Sequence, residues 1–96
     1  MERGISLLND RCPEWLDHVN LTSLDMGDNY QCILGQVFGN YDHGLYKLRL
    51  SGEGVDYGFF DKYEFEYESE KESNEAWAEL TDVWKEKVRE LQGAKL

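Results

Sequence analysis

Ninety-six residues with a net charge of −10, 41% of them hydrophobic and 14% aromatic, bound one domain small enough that its core must be well filled. Ten basic residues against twenty acidic ones form no cationic cluster to displace phosphate counterions, which disfavours direct binding of DNA or RNA. No apolar run approaches the roughly 18 residues of a membrane span and no basic-then-apolar leader is present, so a cytoplasmic protein with reduced Cys12 and Cys32 is expected.

Ile5, Leu7 and Leu8 predict a short first helix over Gly4 to Asn9. Asp10-Arg11-Cys12-Pro13 ends it, because the residue before a proline is pushed away from helical torsions. Pro13 suits the first turn of a second helix with Trp15, Leu16 and Val19 on its apolar face. Residues 20–27 read as a connection whose Leu21 and Leu24 plug the core. Asp28, as an N-cap, predicts a helix from Asn29 to about Phe38, with Tyr30, Ile33, Leu34, Val37 and Phe38 on one buried stripe.

Inside that helix Gly35 costs about 0.8–1 kcal/mol relative to Ala, and close approach of another helix is the expected compensation. Gln36, polar on an apolar helix, is expected to hydrogen-bond a neighbouring backbone. Gly39 stands where a left-handed cap is needed. A further short turn or helix runs through Tyr41, Leu45, Leu48 and Leu50. Tyr41, Asp42 and His43 are expected in the exposed turn between the two helices.

Residues 51–54 are a loop by composition, and Val55, Tyr57, Phe59 and Phe60 read as a single helical turn or irregular chain. Residues 53–72 hold eight acids against two bases and so supply −6 of the net charge. Within them, 61–72 reads as an acidic insert or connector. Tyr63, Phe65 and Tyr67 alternate with Glu64, Glu66, Glu68 and, further on, Glu70, a period of two that favours a short extended segment near 63–67. Three readings compete for it: a solvated face, which is the default, a mimic of nucleic-acid phosphate, and an edge that pairs with a second copy of the chain. Ser73 is expected to cap the last and longest helix, Asn74 to about Gln92, which ends before Gly93. Ala76, Trp77, Leu80, Val83, Trp84, Val88 and Leu91 recur there at three- and four-residue steps, and Trp15, Trp77 and Trp84 read as core.

The stretch C-I-L-G-Q-V-F-G-N-Y-D-H-G-L at 32–45, the aromatic G-F-F at 58–60 and L-T-D-V-W-K at 80–85 resemble small uncharacterised proteins of actinobacteria and their phages. The resemblance covers about half the chain. It implies a genomic setting and no particular chemistry.

Cys32 with His43 or Asp42 would make a nucleophile and base, but buried structural cysteine is the commoner case and no flanking pattern of a cysteine hydrolase is present. Cys12, His18, Cys32 and His43 lack the closely spaced ligand pairs of a zinc site. The glycines at 52, 54 and 58 do not form a phosphate-cradling loop. No catalytic residue, metal or cofactor is therefore assigned. The expectation is a mostly α single domain over 1–96, a bundle of four to five short helices closed by the 74–92 helix packing across 29–38. Gly35, Gln36, Gly39, Trp77 and Trp84 hold structural roles in it. The expected function is non-enzymatic protein–protein interaction through Tyr41, Asp42, His43, Glu64, Glu66, Glu68 and Glu70, with a basic-surfaced partner or a second copy of the chain. The alternative is a small enzyme or ligand-binding domain using Cys32, Tyr41 and His43.

Overall fold

A computed structural model describes residues 2–50, 54–60 and 68–94, and among them it has four α-helices and one short 3-10 turn. Helix α1 spans Glu2–Arg11, the 3-10 turn Trp15–His18, α2 Ile33–Phe38, α3 Tyr41–Lys47 and α4 Glu70–Ala94. The mostly helical architecture with a long C-terminal helix follows the sequence expectation. At a rise of 1.5 Å per residue α4 is about 37 Å long. It runs most of the molecule's longest dimension of 42 Å.

The chain turns at Cys12-Pro13 as expected, but Trp15, Leu16 and Val19 do not ride on an α-helix. Asp17 N–H donates to the Glu14 carbonyl and Val19 N–H to that of Leu16, three-residue steps that give a single tight turn. The turn still delivers all three apolar side chains to the core. Trp15 is locked by its indole N–H, which donates to Asn9 Oδ1 at 2.8 Å.

The segment expected to begin α2 is instead a separate turn. Asp28 Oδ1 accepts from the amides of Tyr30 and Gln31, so its carboxylate closes a local turn and does not start a continuous helix. Cys32 then takes an extended conformation, φ −72° and ψ 174°, and α2 starts only at Ile33. Tyr30 consequently leaves the predicted buried stripe and is 67% exposed. A Cβ built on Gly35 would lie 2.5 Å from the Asn29 carbonyl oxygen. The close neighbour that Gly35 requires is thus the backbone of the preceding turn, not a crossing helix. Gly39, at φ 107°, ends α2 in the left-handed region as expected.

Helix α3 packs against α2, with Gly44 seated against Leu34 and Phe38. Its end repeats the C-cap pattern with an arginine. Arg49 sits at φ 61°, its amide donating to Tyr46 O while Leu50 N–H reaches back to Leu45 O.

Helix α4 starts earlier than Ser73, because Ser69 Oγ accepts from Glu72 N–H and provides the cap. It runs through Gly93, and Val83 lies off the buried face, half exposed. It packs on the 3-10 turn, not across α2. Trp84 and Val88 are fully buried. Consecutive residues of the 54–60 segment grip two levels of the helix: Phe59 stacks on Trp84 at 5.7 Å and Phe60 meets Trp77 edge-on at 5.0 Å. Trp84 also donates its indole N–H to Gly58 O at 2.7 Å. The same segment receives α1, where Gly4 leaves room for the Tyr57 carbonyl and the Phe59 ring and Arg3 lies 4.8 Å above the Tyr57 ring. The expected extended segment at 63–67 lies outside the described residues.

Candidate functional site

Two features of the surface stand out chemically: the outer face of α4 and a small cavity beneath the 26–29 loop. On α4 the acids Glu72, Glu75, Glu79, Asp82, Glu86 and Glu90 recur at steps of three and four, and all six are exposed. At 100° per residue they fall within about 80° of helix surface, over a rise of about 27 Å. Trp77, Thr81, Trp84 and Val88 point the opposite way, into the core. Among the described residues the ion pairs are Asp10 with Arg11 at 3.4 Å and Glu2 with Lys87 at 3.7 Å. None of the six acids is in either, although Lys71, Lys85 and Arg89 flank the row. The helix dipole favours acids in the first turn alone, which accounts for Glu72 and not for the other five.

The cavity, about 190 Å³, has Tyr41, Phe60 and Trp77 as its half-buried walls. Buried Cys32 and Phe59 lie at its base, and exposed Asp28 and Asn29 at its rim. Loop and helices are tied together around it. Tyr41 N–H donates to Asn29 O at 2.8 Å, and Met26 N–H to Thr81 Oγ1 at 2.8 Å. The Tyr41 hydroxyl lies against Gly54, where any side chain would collide with it. Burial, with smaller contributions from Cys32 and Asp42, pushes the Tyr41 phenol up to about 12.

Burial likewise raises the Cys32 thiol, against the opposing pull of the amides of Gly35 and Leu34. Its Sγ accepts from Gly35 N–H at 3.2 Å and caps α2. A thiol held protonated in this way is a poor nucleophile. Cys12 is raised as well, by burial and by neighbouring Glu14.

Of the expected site residues, Cys32 and Tyr41 are brought together at the cavity. His43 does not line it. Tyr41, Asp42 and His43 form the first turn of α3, not a connecting turn, since Asn40 Oδ1 accepts from His43 N–H and starts the helix there. Asp42 and His43 are exposed, and the His43 ring stacks near that of Tyr46, itself 76% exposed. Gln36 accepts from Asn20 N–H and donates to the carbonyls of Asn20 and Gln31, stitching the 20–31 loop to α2. Glu68 and Glu70 are exposed at the start of α4, while Glu64 and Glu66 lie outside the described residues. Cys12, His18, Cys32 and His43 gather into no metal-holding group.

Sequence reasoning missed the acidic row of α4, although its three-and-four spacing from Glu72 to Glu90 is the same signal that reveals the apolar face. It also missed Asp28, Phe60 and Trp77 as neighbours, which no local pattern could reveal. No helix among the described residues is long and apolar enough to cross a membrane. Comparison with protein-family models, with curated proteins and with solved structures returns no match.

Proposed function

We propose that this chain is a non-enzymatic protein-binding module whose outer α4 face docks a partner with a basic surface. The observation that supports it is the row Glu72, Glu75, Glu79, Asp82, Glu86 and Glu90, exposed and without an ion pair among the described residues. Six like charges on one side of a helix repel one another, a cost that a cationic partner relieves. The same repulsion argues against a second copy of the chain on this face, and against nucleic acid. In keeping with the resemblance at 32–45, the partner we infer is a host protein met by a phage-encoded one in the bacterial cytoplasm.

The test is co-purification at two salt concentrations, with wild type beside the variant Glu75→Gln, Glu79→Gln, Asp82→Asn, Glu86→Gln. A stoichiometric basic protein held by wild type, released by salt and lost in the variant is the expected result. Retention of that protein by the variant, with thermal melting unchanged, would sink the reading.

A further inference from the structure

The cavity beneath the 26–29 loop has aromatic walls set at steep angles to each other. Phe60 and Trp77 meet at 89° between ring planes, and Tyr41 leans on Phe60 at 5.9 Å and 42°. The faces of such rings carry the negative end of the π quadrupole and attract cations. Among the described residues no Lys, Arg or His lines the cavity. At its rim Asp28 is held in place by its own turn, Oδ1 accepting from Tyr30 N–H at 2.7 Å and Gln31 N–H at 3.2 Å. Its Oδ2 takes no hydrogen bond from the protein among the described residues.

These features select among cations. A bare metal ion or a primary ammonium must exchange its hydration shell for several hydrogen bonds or hard oxygen ligands, and a cavity walled by three aromatic rings, with carboxylate and amide oxygens only at its rim, supplies few of them. A methylated ammonium keeps the charge, presents methyl groups to the rings and sheds water at little cost. The 190 Å³ cavity has room for such a head group. We propose that this cavity binds a methylated ammonium group, with Tyr41, Phe60 and Trp77 as its cage and Asp28 as its counter-ion. The net charge of −10 raises the local concentration of any cation and so assists capture. The site is independent of the outer α4 face, and either can fail without the other.

A free choline-like molecule and a trimethylated lysine of another protein share this chemistry, so both are tested. Choline, a short peptide carrying one Nε-trimethyl-lysine, and the neutral isostere of choline with carbon in place of the quaternary nitrogen are titrated into the full chain. Calorimetry and the Trp77 indole N–H chemical shift are followed. Saturable binding of choline or the peptide is expected, the tighter of the two naming the source, with the isostere weaker by about tenfold or more. Asp28→Asn retains an acceptor for the Tyr30 and Gln31 amides, so it should keep the wild-type melting temperature while binding the cation several-fold more weakly. Absence of saturable binding by either cation, or an isostere that binds as tightly as choline to wild type, overturns the proposal. So does an Asp28→Asn variant that folds normally and binds with unchanged affinity.

Discussion

Thr81 and Met26 lie 55 positions apart in the chain and share one hydroxyl: Thr81 Oγ1 accepts from the Met26 amide at 2.8 Å and donates to Trp77 O at 2.8 Å. The first bond fastens the 22–27 loop to α4, and Thr81 is buried. Thr81→Val keeps the shape and leaves the Met26 N–H without a partner, which should cost about 1–3 kcal/mol. Thr81→Ser should cost less. Urea unfolding of the two variants measures the difference; equal stabilities would show that the hydroxyl bond contributes nothing.

Gly35→Ala would ordinarily gain about 1 kcal/mol of helix propensity. Here the new Cβ would lie 2.5 Å from both the Asn29 oxygen and the Tyr30 carbonyl carbon, and backbone atoms cannot swing aside as a side chain does. A net loss of about 1–3 kcal/mol is expected, with Gly35→Leu worse. A rise in melting temperature for Gly35→Ala would refute the close approach of the 28–31 turn.

Arg49 holds a left-handed conformation at the end of α3 with a side chain that disfavours it. The penalty is about 1–2 kcal/mol, part of which glycine returns through its freer unfolded state. Arg49→Gly should therefore stabilise the fold by roughly 0.5–1 kcal/mol. Thermal melting decides the sign.

Tyr41 and Cys32 link stability to alkaline pH. Both pKa values are raised on folding, Cys32 from 9.0 and Tyr41 from 10.0 to about 12. The folded state thus holds its protons more tightly than the unfolded one. The stabilisation is present in full below pH 9, and Tyr41's share is lost as pH rises from 10 towards 12. Melting temperatures should fall over that range, and less steeply for Tyr41→Phe than for wild type. Under native conditions at neutral pH an alkylating reagent should also spare Cys32 until denaturant is added.

The parts of the fold legible in the sequence are those with a long period or a single steric cause. The α4 stripe through Trp77, Trp84 and Val88 repeats often enough to define a helix, and Pro13 and Gly39 each end an element for one local reason. Asp28 misled because the same carboxylate that caps a helix also closes an isolated turn, and only the extended torsions of Cys32 separate the two outcomes. Ser69 carries the same hydroxyl one turn before the expected cap Ser73, and its bond to Glu72 N–H sets the earlier start of α4. The partner of α4 was not legible: that Phe59 and Phe60 would reach Trp84 and Trp77, and so displace α2 from its surface, depends on how a seven-residue segment without regular structure crosses the helix. The cavity inherits that difficulty, since its walls come from three separate elements.

The three tryptophans occupy unequal environments, and this makes the chain its own optical probe. Trp15 and Trp84 are fully buried with their indole nitrogens engaged, whereas Trp77 is only half-buried at the cavity wall. A collisional quencher should reach Trp77 first and the other two only when the core opens. Emission that changes before quenching of the buried pair would then report an event at the cavity, and a simultaneous change of all three would report global unfolding, without any label attached.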